Sequence, residues 1–299
     1  NWGKERGRIF LDTFFQMVDL SAHNTILEIG CDDGYLLRQL KQRGGKDFIG
    51  IEPSIAKSQE LDGIHFYKEF ANEDLKLPHL CDLIYAVGVF EHIEDMNSML
   101  SFCKKNLSKE GKLFFLVPNV QKQLEDGDPA LFIHQHIQYF TEDSARSLLA
   151  RHGFVVKSII KVRDELNVLA TLSEEKISME DISSVPYQQR LEHVLEKTQE
   201  LLQSPKTLVH GANNGLNNIL LWLNKDFDFT LVDNVNTKHG KVYFKKKVHA
   251  LDDVVLNDFD NVLIVPSTFY EIIQKDYRQR GFKGRIESLQ QGEECIKQS

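Results

Sequence analysis

The sequence predicts an α/β protein built from two mainly parallel sheets, each covered by helices on both faces, that follow one another along the chain. Three observations predict it. Short apolar and β-branched runs alternate with helix-like stretches from Thr25 to Leu172, and the alternation starts afresh at Thr207. Both series open on a strand that runs into a glycine turn and then a helix, the opening of a doubly wound, Rossmann-like domain. At 299 residues the chain also exceeds the usual single-domain size of about 100 to 200. The expected organisation is a first domain over residues 1–172, a helical connector over 173–204 and a second Rossmann-like domain over 205–299.

Taken in order, Arg8–Val18 (RIFLDTFFQMV) spaces its apolar residues as an amphipathic helix does. Strands are expected at Thr25–Ile29, Phe48–Ile51, Ile64–Tyr67, Leu83–Val87 and Lys112–Val117, with helices at Tyr35–Arg43 and Met96–Asn106. His152-Gly153-Phe154 reads as a helix stop before a strand at Val155–Ile160, and Leu166–Leu172 as a further strand. The connector turns from polar to helical, with Pro186 opening YQQRLEHVLEKTQELL. After Ser204-Pro205 come strand Thr207–His210, a Gly/Asn-rich turn, helix Asn217–Leu223, strand Phe229–Val232, and strand Asn261–Val265 followed by a helix.

Composition narrows the function classes. A net charge of −8 argues against tracking a nucleic-acid backbone, so no nucleic-acid partner is expected; Lys245–Lys247 reads as a solvated face. Cys31, Cys81, Cys103 and Cys295 form no Cys-x-x-Cys pair, which points to reduced thiols and a cytoplasmic setting. No apolar stretch approaches the roughly 20 residues of a membrane span, and no signal peptide or membrane partner is expected. The chain begins with Asn1 and not Met, as a truncated or processed product would.

The first glycine turn carries the chemistry. It reads Ile26-Leu27-Glu28-Ile29-Gly30-Cys31-Asp32-Asp33-Gly34-Tyr35, with Gly30 at the turn and Gly34 allowing close backbone approach before the helix. Glu52 ends the next strand, about 20 residues on, where a carboxylate grips a ribose diol. Together these favour nucleoside binding over a merely structural turn. The carboxylates of Glu28, Asp32 and Asp33 would repel a pyrophosphate but suit an ammonium and a sulfonium, so S-adenosylmethionine fits better than NAD.

On these residues the sequence resembles the class I S-adenosylmethionine-dependent methyltransferases, over about residues 25 to 160. The resemblance implies the class I methyltransferase fold for the first domain. It also implies Gly30 and Gly34 in the cofactor loop, Glu28 bracing it, Asp32 near the methionine moiety, Glu52 on the ribose and Val87 in the same site.

The acceptor side is expected where strands end. His92 follows the fourth strand, in Val89-Phe90-Glu91-His92-Ile93, and a second cluster, Ile133-His134-Gln135-His136, follows the fifth. Alternate residues of an extended segment point the same way, so His134 and His136 could share a metal. No third ligand with recognisable spacing appears, and no metal is expected. General base work is the preferred reading: His136 as the base and His92 as its partner.

The His136 block resembles a narrower family, the sugar C-methyltransferases of nucleotide-linked keto sugars, which carry H-E-H-x-x-Y-F after strand five. That resemblance implies a nucleotide-sugar acceptor, His92 and His136 as catalytic residues, and a closing second domain. This chain departs from the pattern in having Gln135 for Glu and Ile133 for Tyr, and it holds no Cys-rich zinc module. Gln135 cannot accept a proton as a carboxylate does, so an oxygen or nitrogen acceptor stays open beside carbon.

In the second domain, Leu208-Val209-His210-Gly211-Ala212-Asn213-Asn214-Gly215 and a strand-end Asp233 could form a nucleotide site or a structural turn. Lys238-His239-Gly240-Lys241 resembles the narrower family's Asp-x-x-x-x-Lys-x-Gly run. The sequence thus points to methyl transfer onto a small polar acceptor between the domains. A non-catalytic S-adenosylmethionine or nucleotide-binding module, an oxygen or nitrogen methyltransferase of a non-sugar small molecule and an NAD-dependent sugar enzyme are the alternatives.

Overall fold

The computed structural model describes residues 2–44, 46–173, 186–266 and 269–289. The polar start of the expected connector, residues 174–185, and Cys295 lie outside the described residues. The chain divides into two compact units, residues 1–120 with 135–183 and residues 121–134 with 184–299.

The first unit opens with α1 (Trp2–Met17), then β1 (Thr25–Ile29), α2 (Tyr35–Lys41), β2 (Asp47–Ile51), β3 (Gln59–Leu61), β4 (Ile64–Tyr67), β5 (Cys81–Val87), α3 (Met96–Asn106) and β6 (Leu107–Pro118). After α4 (Gln121–Asp126), which belongs to the second unit, come α5 (Glu142–Arg151), β7 (Phe154–Val162) and β8 (Glu165–Leu172). The sheet order is β3-β4-β2-β1-β5-β6-β8-β7. Strands β4, β2, β1, β5 and β6 run parallel, while β3 is antiparallel to β4 and β8 to both β6 and β7. Successive residues point to opposite faces, and both faces are covered. Ile26, Phe48, Tyr85 and Phe114 pack with Phe10, Phe14 and Leu37. Their neighbours Leu27, Ile49, Ile84 and Phe115 pack with Met99, Leu100, Phe102 and Leu149.

The main strands fall where the sequence reading puts them, and β3 is an addition at the sheet edge. That three-residue strand is exposed throughout, so no apolar pattern marks it. Helix α5 was signalled only by its end; its start is a capping box in which Thr141 Oγ1 accepts from Ser144 N at 3.2 Å and Ser144 Oγ accepts from Thr141 N at 2.9 Å. Serine in place of the usual Glu hides that signal.

The second unit contains α6 (Tyr187–Leu202), β9 (Thr207–His210), α7 (Asn214–Leu223), β10 (Thr230–Val232), β11 (Val242–Tyr243), β12 (Lys246–His249), β13 (Asn261–Ile264), α8 (Tyr270–Gln279) and β14 (Arg285–Ser288). Its sheet order is β11-β12-β10-β9-β13-β14, parallel except for the β11–β12 hairpin. Val209, Leu231 and Leu263 face α6 and α7, whereas Leu208, Val232 and Val262 face α8. Residues 121–134, which the sequence reading runs into the first domain, group here because α6 and α7 hold them. Asn218 Nδ2 donates to Pro129 O at 2.9 Å and to Phe132 O at 2.7 Å, and Arg190 Nη1 donates to Glu125 O.

Within the basic run, Lys245 is exposed and pairs with Asp226 at 3.0 Å. Lys246 is largely covered, paired with Asp228 at 2.9 Å and placed 5.2 Å over the Phe229 ring, so it is not simply solvated. Cys31, Cys81 and Cys103 are free and buried, and burial pushes all three thiols up, the first two to about 12. Among the described residues, no helix is long and apolar enough to cross a membrane.

Candidate active site

Strand β1 delivers Glu28 to the carboxyl edge of the first sheet. The side chain is only 3% exposed and its Oε2 accepts from the Tyr85 hydroxyl of β5 at 2.9 Å. Burial pushes the carboxyl up to about 8, against the opposing Tyr85 hydrogen bond. Near neutral pH it is therefore largely a neutral acid that an arriving cation would ionise.

The turn after β1 is tight. Gly30 has φ +71°, and a Cβ there would lie 2.5 Å from Val89 Cγ2. Asp32 also takes positive φ, +47°, which Asp tolerates better than most residues. Gly34 starts α2 at φ +79°, where a Cβ would strike the Phe66 ring at 2.6 Å. Asp33 Oδ1 accepts from Tyr35 N at 2.8 Å. Glu52 acts on the turn itself: Oε2 accepts from Asp32 N at 3.3 Å and Oε1 from Ser54 N at 2.9 Å.

At the end of β5, Phe90 anchors a short 3-10 turn, Phe90–His92, by stacking on Phe115 with ring centroids 4.7 Å apart. This leaves Glu91 buried and His92 exposed beside it. The segment carrying His136 is stitched to that turn. Glu91 O accepts from Ile137 N at 2.8 Å and Gln138 N at 3.0 Å, and Gln138 Nε2 donates to Ile93 O at 3.1 Å. The His92 and His136 rings lie 5.0 Å apart, nearly edge to face. His92 Nδ1 lies 2.7 Å from Gln135 O. Burial, then the neighbouring His92, holds the His136 imidazole below its ordinary value.

One cavity of about 660 Å³ in the first unit joins these parts. Its wall includes Glu28, Gly30, Asp32 and Asp33 from the turn, Val87, Glu91 and His92 from the end of β5, and Gln135 and His136 from the later segment. Gly34 and Glu52 are not among its lining residues; Glu52 reaches the turn through Asp32 N.

Residues 4–159, just over half of the chain, match the family model described as a methyltransferase domain. The chain belongs to the methyltransferase domain family. The C-methyltransferase NovU of Streptomyces niveus is 24% identical over 159 residues, covering 51% of this chain and 38% of that protein. A tRNA U34 carboxymethyltransferase of Sulfurimonas denitrificans is 31% identical over 96 residues, covering 29% of this chain and 32% of its own length. The chain thus spans about two fifths or less of these curated relatives. A solved S-adenosylmethionine-dependent methyltransferase from Mesorhizobium loti has 18% identity and a TM-score of 0.44, covering 54% of this chain and 96% of its own.

The cofactor of this methyltransferase domain is S-adenosylmethionine. The residues present fit it: Glu28, Asp32 and Asp33 line the cavity with carboxyl groups suited to a cationic ligand, and Gly30 keeps the turn free of a side chain. The sequence reading missed several parts of the methyltransferase cavity. Gly7, Ile9 and Phe10 of α1 line it, as do Arg163, Asp164 and Glu165 of the β7–β8 hairpin. Only the closing of the sheet brings these distant segments there. Beside His134 and His136 the sequence marks no third metal-ligating residue, and no metal is expected. Among the described residues, Glu91, His92 and His136 bring one ligand atom each within 4.8 Å of one another, because two loops end at the same sheet edge. His134 is exposed and is not a member of that group. Glu91 could have been found as the carboxylate directly after the fourth strand, next to His92.

Proposed function

We propose that this chain is an S-adenosylmethionine-dependent methyltransferase acting on a small polar acceptor, a nucleotide-linked sugar of bacterial polysaccharide or secondary-metabolite biosynthesis, in the cytoplasm. The observation that carries the reading is the single cavity lined both by the acidic β1–α2 turn and by the His92–His136 pair. When bound, the cofactor supplies an electrophilic methyl group on a cationic sulfur.

The chain's own residues divide the remaining work. Glu28, Asp32 and Asp33 offer negative charge to the cofactor's cationic groups, while Gly30 and Val87 form wall against it. Gly34 and Glu52 fix the turn, Glu52 through its contact with Asp32 N. His136, whose imidazole burial and then the neighbouring His92 hold below its ordinary value, offers a lone pair and takes the acceptor's proton as the new bond forms. His92 orients the acceptor, its own ring steadied by Gln135 O. Because Gln135 takes up no proton, we place an oxygen acceptor ahead of a carbon one. We also read the sheet-bearing part of the second unit, from Thr207 onward, as a Rossmann-like domain that follows the methyltransferase domain along the chain.

Calorimetry with S-adenosylmethionine, followed by an assay of S-adenosylhomocysteine release across sugar nucleotides, tests the reading. Cofactor binding with release on at least one sugar nucleotide is the expected result. Binding without release on any acceptor would leave a non-catalytic module in its place.

A further inference from the structure

We infer that Glu91, His92 and His136 form a site for one divalent first-row transition cation, and that the cation binds and activates the acceptor through its oxygen. The donor set is two imidazoles and one carboxylate, which suits zinc, iron, cobalt or manganese rather than magnesium or calcium. One ligand atom from each residue already lies within 4.8 Å of the others. Two atoms each about 2.1 Å from a cation stand at most about 4.2 Å apart, so small side-chain rotations close the site. The less buried histidines can make them.

The surroundings prepare the group for this task. A backbone carbonyl only accepts, so the 2.7 Å contact with Gln135 O puts the proton on His92 Nδ1 and leaves the lone pair on Nε2. An outer hydrogen bond of this kind orients metal-binding histidines. The two loops cannot drift apart, because Glu91 O accepts from both Ile137 N and Gln138 N. All three side chains line the cavity, and three protein ligands leave a coordination position for the acceptor oxygen. The cation also supplies what Gln135 cannot, a means of making the acceptor acidic.

The chemical consequence rests on the methyl-transfer reading. With the cation bound, His136 is a ligand, and its role as a base belongs to the metal-free protein. The acceptor hydroxyl, its acidity raised by the cation, gives its proton to solvent. The oxygen's electron pair then bonds the methyl carbon as the carbon–sulfur bond breaks and its pair stays on sulfur. The cation is unchanged.

The test uses the full chain, dialysed against a chelator and titrated with Co²⁺ alone. We expect one Co²⁺ per chain with visible d–d absorption, displaced by Zn²⁺, and binding weakened about tenfold or more in His136→Ala and Glu91→Gln. His134→Ala, outside the group, should bind as the unaltered chain does. Glu91 is buried and its variant can misfold, so His136→Ala with an unchanged circular dichroism spectrum decides. Absence of stoichiometric Co²⁺ binding, or equal binding by His136→Ala, overturns the inference. Calorimetry with S-adenosylmethionine on the metal-free chain separates the two readings. Cofactor binding without a Co²⁺ site removes only the cation, and a Co²⁺ site without cofactor binding removes the methyl-transfer reading.

Discussion

The two units open on the same pattern, a strand, a glycine turn and a helix followed by a strand ending in an acid, yet they use the acid in opposite ways. In the first, Glu52 holds the turn through backbone amides alone, and the side chains of Glu28, Asp32 and Asp33 line a cavity. In the second, Asp233 is saturated: its carboxylate accepts from Ala212 N at 2.9 Å, Val235 N at 2.8 Å and Lys238 Nζ at 2.9 Å. Burial pushes the Asp233 carboxyl up, but those bonds together hold it below its ordinary value. Lys238 also donates to Ala212 O, closing the turn on itself. The helix starts differ likewise. Gly34 caps α2 with no side chain, whereas Asn213 Oδ1 caps α7 by accepting from Leu216 N at 3.2 Å. A shared backbone motif thus becomes a ligand wall in one place and a structural knot in the other, and the side chains alone decide which.

If that contrast is right, changes in the first unit register in ligand chemistry and changes at the second turn register in stability. The largest expected effect is on His136→Ala, which should lower turnover about 100-fold while leaving S-adenosylmethionine affinity nearly intact. Steady-state kinetics beside calorimetry checks it, and unchanged turnover removes His136 from the chemistry. Next comes pH. Glu28 must ionise to attract a cation, and burial has raised its carboxyl from 4.5 to about 8. Cofactor affinity should therefore climb, by up to about tenfold per pH unit, towards pH 8 and level off above it. Proton release on binding at pH 7, seen as a buffer-dependent calorimetric enthalpy, should vanish in Glu28→Gln. A flat profile in the unaltered chain would place Glu28 outside cofactor binding.

Across in the second unit, Lys238→Ala leaves a buried carboxylate without its cation. It should cost about 2 kcal/mol, reduced from the fully buried case because the lysine is partly exposed. Urea unfolding measures it; normal stability with altered ligand binding would break the comparison. The smallest effect is on Asn213→Ala, about 1 kcal/mol for a lost helix cap, read from the same unfolding curves.

Much of the frame was legible because buried parallel strands are written as short apolar runs. Strands Thr25–Ile29, Ile64–Tyr67 and Thr207–His210 stand where their residues put them. The site was legible in pieces: Glu28, Gly30, Asp32, Val87, His92 and His136 meet in one cavity, but nothing in the chain orders them around it. Glu91 was passed over because its carboxylate sits in a Phe-Glu-His run that reads as a loop until Phe90 is seen anchoring it on Phe115. The hairpin at Arg163–Glu165 was invisible for another reason. Its place depends on the antiparallel register of β7 and β8, which pairing sets and local composition does not.

A single carbonyl oxygen, that of Glu91, receives the amides of both Ile137 and Gln138. Substitution can exchange the imidazoles or the amide side chain between them without disturbing the backbone that spaces them. Chemistry at this edge is free to change while its dimensions stay put, because a substitution there alters only what projects from the joined loops.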